Sequence, residues 1–145
     1  MEKYVAKNFK FNKEGLGRVL GHLEQDIMAV LWDRRRATGA EVIEDIRKNR
    51  EIAVTTVFTV LERLSKKGLV RKARGESVYI FEPVYTEDEL ATKVSREVMK
   101  GVIDLWKGSA ISSFVDIVAM ENPEDLDRLS RLISTKKKEL AKGTV

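Results

Sequence analysis

Apolar positions keep a helical period along most of this chain, interrupted once by a stretch that alternates. From about His22 to Asp33, Leu23, Ile27, Val30 and Leu31 form one stripe, and Trp32 closes the end against a core. Thr38-Gly39-Ala40-Glu41 has the form of a capping box: the threonine hydroxyl takes an orphan N–H and the glutamate reaches back. A second helix follows, burying Val42, Ile43 and Ile46. A turn near Asn49 to Ile52 leads into AVTTVFTVLERLSKKG, residues 53–68. Here Val54, Val57, Leu61 and Leu64 recur at steps of three, four and three, which is the spacing of one helix face. Gly68 supplies a left-handed stop.

After Gly68 the period changes. Residues 69–74, LVRKAR, and 77–83, SVYIFEP, are β-prone runs on either side of Gly75-Glu76. They read as a hairpin, ended by Pro83. Three helices followed by a hairpin make a winged helix-turn-helix. Residues 1–20 are basic, and Gly15, Gly17 and Gly21 argue against a continuous helix there. We read them as an N-terminal extension from which Phe9, Phe11, Leu16, Val19 and Leu20 can dock on the body.

The rest is helical. Thr86-Glu87-Asp88-Glu89 is a second capping box. A long helix follows, broken at Lys107-Gly108-Ser109, then a short and very apolar one from about Ile111 to Val118. Asn122-Pro123-Glu124-Asp125 signals the start of a last helix, which ends in three lysines. The predicted fold is mainly α with a small β-hairpin wing. The extension covers 1–20, the winged helix-turn-helix 21–84 and a helical dimerisation domain 85–145.

The polar face of the third helix gives the first hint of chemistry. It carries Thr55, Thr56, Thr59, Glu62, Arg63 and Lys66. Threonine is a mediocre helix former, so a face needing only solubility would show Glu, Lys or Gln. Threonine and arginine can meet phosphate oxygens and base edges, and we read this helix as one that enters the DNA major groove. Arg71, Lys72 and Arg74 lie on the hairpin, where they can follow a phosphate backbone. Charge protecting a solvated sheet edge explains Arg71 and Lys72 as well. Arg34, Arg35 and Arg36 form a run at a helix end, which reads as a solvated turn.

Charge supports the same direction. The chain has 145 residues and a net charge of +4. Residues 1–85 hold seventeen Lys/Arg against twelve Asp/Glu, whereas 86–145 hold ten against eleven. The basic excess therefore sits in the first part, as for a polyanion binder. There is no cysteine, which excludes disulfides and thiolate metal sites. The single histidine, His22, at the start of a core helix, cannot build a typical zinc site alone, and it leaves no nucleophile–His pair for an enzyme. No phosphate-binding Gly-rich loop appears, and no metal or cofactor is expected. No apolar run approaches a membrane span, and the first residues lack the apolar core of a secretory signal; a cytoplasmic location is expected.

The C-terminal helices carry more large apolar groups than about 60 residues can bury by themselves. We read Leu90, Val94, Val98, Val102, Trp106, Phe114, Ile117, Leu129 and Ile133 as a dimerisation surface. The alternative is a tail folded back on its own winged helix. A dimer would set two recognition helices on two half-sites of a palindrome.

The segments LEQDIMAVLW, TGAEVIEDI, TTVFTVLERLSKKGLVRKARGESVYIFEPV and TEDEL occur in that order. Over roughly residues 21–140 the chain resembles the BlaI/MecI penicillinase-repressor family, which also contains the CopY copper repressors. The resemblance implies a homodimeric winged-helix repressor of a palindromic operator. It implies that Thr55, Thr56, Thr59 and Arg63 face the groove, with Arg71, Arg74 and Tyr79 in the wing region; Lys66, on the same polar face by periodicity, joins them as a candidate DNA contact. Two departures matter. Copper sensing in that family uses C-terminal cysteines, which this chain lacks. Where some members are cut at an Asn-Phe bond, an ungapped alignment places Asp116-Ile117 here. The competing reading is a winged-helix adaptor whose threonine-rich face meets a protein. The basic hairpin and the lack of an aromatic anchor on that face favour double-stranded DNA.

Overall fold

In the computed structural model, which describes residues 3–143, both capping boxes form. The Glu41 amide donates to Thr38 Oγ1 at 3.2 Å and the Thr38 amide to Glu41 Oε1 at 2.9 Å. Thr86 and Glu89 repeat the exchange at 3.1 and 3.0 Å. They start two of six helices: α1 His22–Arg34, α2 Gly39–Arg47, α3 Val54–Lys66, α4 Glu87–Leu105, α5 Lys107–Glu121 and α6 Asp125–Ala141. Three strands, β1 Ala37–Thr38, β2 Val70–Arg74 and β3 Tyr79–Pro83, form an antiparallel sheet in the order β1-β3-β2. The two-residue β1 is too short to leave a pattern in the sequence. It pairs Ala37 with Phe81 and closes one edge of the hairpin.

The chain divides into two compact units, Met1–Val98 and Met99–Val145. In the first, Ile27, Met28, Leu31, Val42, Val57, Leu61, Leu64, Leu69, Val70 and Phe81 are fully enclosed. Each such side chain contributes about 1.5–3 kcal/mol by leaving water. Ion pairs fix the helices around that core. The Arg34 guanidinium bridges α1 to α2, meeting both Asp45 oxygens at 2.7 and 2.9 Å and Glu41 at 3.1 Å. Those hydrogen bonds hold the Asp45 carboxyl down at about 2. Of the three arginines expected in a solvated turn, Arg34 is thus structural, while Arg35 and Arg36 are exposed.

Two expectations meet the structure here. The described part of the segment 1–20 docks on the body, as expected of Phe9, Leu16, Val19 and Leu20. Tyr4 and Leu20 are buried, and Ala6, Phe9, Leu16 and Val19 pack against the same core; Val5 and Phe11 stay out, Phe11 edge-on to Phe9. Burial, then Glu97 and Glu24, pushes the Tyr4 hydroxyl up to about 12. Secondly, Leu90 and Val94 are not a free dimerisation surface. They are 0% and 6% exposed in the core of the first unit, with Val98 half-buried beside them. The Trp32 indole N–H donates to the Tyr85 carbonyl at 2.9 Å, bringing the start of α4 to α1, where its apolar stripe is consumed. The unit boundary consequently falls within α4, not at residue 84.

In the second unit α5 and α6 pack together, and no described side chain is buried. Val102, Trp106, Phe114, Ile117 and Ile133 are exposed, and Leu129 is half-buried. Residues 1, 2, 144 and 145, the outer ends of the expected extension and dimerisation domain, lie outside the described residues. Among the described residues no helix is long and apolar enough to cross a membrane.

Candidate nucleic-acid interface

The interface begins with how α3 is held. Its buried stripe is Val57, Val60, Leu61 and Leu64. Val54, expected in that stripe, is 44% exposed; it keeps the period but opens the helix, and it lines a shallow concavity against α2 with Phe58. The Phe58 ring occupies the space that a Cβ on Gly39 would need, so only glycine there lets α2 and α3 approach this closely. The turn between them is pinned twice. Arg47 donates to the Ile52 carbonyl, and Arg50 pairs with Asp26 of α1 at 2.8 Å.

The far end of α3 is closed by a Schellman motif. The Leu69 amide donates to the Leu64 carbonyl and the Gly68 amide to the Ser65 carbonyl, at 3.0 and 3.1 Å. Gly68 has φ +83°, as its sequence position predicts. This cap turns the chain at once from α3 into β2, so the helix and the hairpin leave one rigid corner.

Of the residues assigned to the helix face, Thr55, Thr56, Thr59, Arg63 and Lys66 are exposed and Glu62 is half-buried. The Thr59 hydroxyl donates to the Thr55 carbonyl at 2.8 Å, so it offers only acceptor capacity and a methyl group outward. Arg63 and Lys66 have no ion-pair partner among the described residues. Thr55, Thr56, Thr59 and Arg63 line a cleft of about 490 Å³ together with Gly21, His22, Leu23, Glu24 and Val60.

The hairpin sorts its cations by strand register. Residues paired across an antiparallel ladder project to the same face. Val70, Lys72 and Arg74 pair with Pro83, Phe81 and Tyr79, so these six share a face. That face meets α3: Lys72 Nζ donates to Glu62 Oε1 at 2.6 Å and lies 4.2 Å from the Tyr79 ring centroid. The Glu62 hydrogen bond raises the Lys72 pKa. Arg71 pairs with Glu82 on the opposite face, its guanidinium 3.4 Å from that carboxylate. Arg74 is exposed and has no ion-pair partner among the described residues. Arg74 and Tyr79 therefore stand on the side of α3. Arg71, expected with them, does not, because one residue of register turns it away. Lys72, read as an edge charge, is a strut between helix and hairpin.

His22 and Lys72 carry no signal in the sequence that marks these roles. His22 lies off the apolar stripe, which shows that it is outward; nothing local says that α3 lies beside it.

Comparison with known proteins adds identity to this geometry. A family model described as "Penicillinase repressor" matches residues 20–135. The transcriptional regulator BlaI of Mycobacterium tuberculosis (strain ATCC 25618 / H37Rv) is 34% identical over 116 residues, 79% of this chain and 83% of that protein. A penicillinase repressor of Staphylococcus aureus is 23% identical over 101 residues, 70% and 80% of the two chains. The solution structure of the DNA-binding domain of the repressor BlaI superposes with a TM-score of 0.45 at 27% identity, over 48% of this chain and 85% of that one. With the family model spanning most of its length, this chain belongs to the penicillinase repressor family.

Proposed function

We infer that this protein is a sequence-specific, DNA-binding transcriptional repressor that acts as a homodimer on a palindromic operator. One observation carries the reading: α3 presents an unpaired Arg63 and Lys66 among exposed threonines, on a helix locked at both ends and flanked by a hairpin bearing Arg74. Such a face fits a groove between two phosphate ridges, with the threonines turned to base edges and the cations of the helix and hairpin meeting backbone. The names of the relatives agree with it.

Dimerisation follows from what the second unit leaves uncovered. Val102, Trp106, Phe114, Ile117 and Ile133 are all at least 44% exposed, an apolar density that isolated helices do not keep in water. A second copy covers them in a two-fold assembly and sets two α3 helices on one duplex.

The test is a gel shift of the full chain on its own upstream region and on random duplex, with sedimentation of the free protein. Retention on the upstream region that survives excess random competitor at physiological salt, by a dimer, is the expected result. Equal affinity for both duplexes refutes sequence-specific repression. A monomer at micromolar concentration refutes the dimer.

A further inference from the structure

We propose that His22 is a second anchor for the DNA backbone. It takes a phosphate together with Arg63 in the cleft between the first turn of α1 and α3. The proposal rests on the DNA-binding reading above and assigns to it a contact on the side of α3 away from the hairpin.

Placement is the first argument. His22 is exposed and lines the cleft of about 490 Å³ with Thr55, Thr56, Thr59 and Arg63. The hairpin is strapped to α3 through Glu62. Glu62 and Arg63 are consecutive, so they point about 100° apart around the helix axis. The hairpin and His22 thus flank α3 from different sides. A duplex that receives α3 in its major groove has a phosphate ridge on each side of it. Arg74 serves one ridge; His22 and Arg63 serve the other.

The charge of the cleft is the second argument. The charged groups that line it are Arg63 from α3 and Glu24 from α1, besides His22 itself. Glu24 is already committed: Oε1 accepts from the Gly21 amide at 3.0 Å and Oε2 from Lys67 Nζ at 2.7 Å. At 7% exposure little of it opens on the cleft it lines. The charge of Glu24 is answered by Lys67 and among the described residues no other carboxylate lines the cleft, so the Arg63 guanidinium is left without a counter-charge and suits a phosphodiester oxygen. An imidazole N–H donates to such an oxygen.

The experiment measures anisotropy of a labelled duplex of about 30 base pairs at fixed pH and ionic strength. It compares the full-length wild type, His22→Ala, His22→Lys and Arg63→Ala. The wild type is expected to bind about two- to tenfold tighter than His22→Ala, the worth of one hydrogen-bonded contact. His22→Lys should bind at least as tightly as the wild type. Equal thermal melting of the variants confirms that an exposed substitution left the fold intact. If His22→Ala binds as tightly as the wild type, or His22→Lys binds no tighter than His22→Ala, the proposal is wrong. Loss of binding in Arg63→Ala with no effect in His22→Ala overturns this proposal alone. A wild type that binds no duplex overturns the DNA-binding reading with it.

Discussion

The cations of this surface are not equivalent, and their inequality is measurable as a salt slope. Arg63, Lys66 and Arg74 stand unpaired, whereas Arg71 is engaged by Glu82 and Lys72 by Glu62. Each phosphate neutralised by a free cation lowers log K by about 0.9 per decade of salt. Three per chain and two chains give about six contacts and a slope near −5. Affinity should then fall on the order of a thousandfold between 50 and 200 mM salt. Arg74→Ala removes one contact per chain, so the dimer's slope should become shallower by about 1.8. Arg71→Ala should change it by less than half as much, since that guanidinium faces away from α3 and already has a counter-charge. Fluorescence anisotropy on one duplex at four salt concentrations yields each slope. If Arg71→Ala flattens the slope as much as Arg74→Ala, register does not select the hairpin cations and the interface is drawn wrongly.

Three further outcomes follow from the same geometry. Gly68→Ala puts a Cβ at φ +83° and should cost about 1–2 kcal/mol, read in urea melts; an unchanged midpoint would show that the corner between α3 and β2 relaxes freely. Asp45→Asn should destabilise the protein by an amount that is constant at neutral pH. The folded carboxyl is held at about 2 against an ordinary 3.8, so its stabilisation is complete above about 4 and is lost as the pH falls toward 2. Urea melts of both proteins from pH 7 to 2.5 should converge, and a gap as wide at pH 3 as at pH 7 would contradict the Arg34 pairing. Leu90→Ala should cost about 2–5 kcal/mol without changing the oligomeric state, whereas Phe114→Glu should shift sedimentation toward monomer and leave the melting of the first unit in place. The reverse pattern would return α4's first turns to the dimer surface.

Local signals specified local structure here. The spacing of Val57, Leu61 and Leu64, the two threonine–glutamate capping boxes and the stop at Gly68 all depend on residues within one helical turn of each other, and each forms as its residues dictate. The outward threonines and Arg63 follow from the same periodicity, so most of the candidate interface was legible before any coordinates. What sequence could not decide is what each element meets. Val54 keeps the period yet stays exposed, because helix register sets a face but not the width of the neighbour that covers it. Leu90 and Val94 look like any amphipathic stripe; only the approach of α4 to Trp32 makes them core. Arg71 and Arg74 are three apart on one strand, so alternation sets them on opposite faces; only the packing of the hairpin decides which face meets α3. His22 and Arg63 are 41 positions apart, and packing of α1 on α3 alone makes them neighbours. Contacts between elements distant in sequence arise from burying several apolar stripes at once, and no single stripe contains that solution.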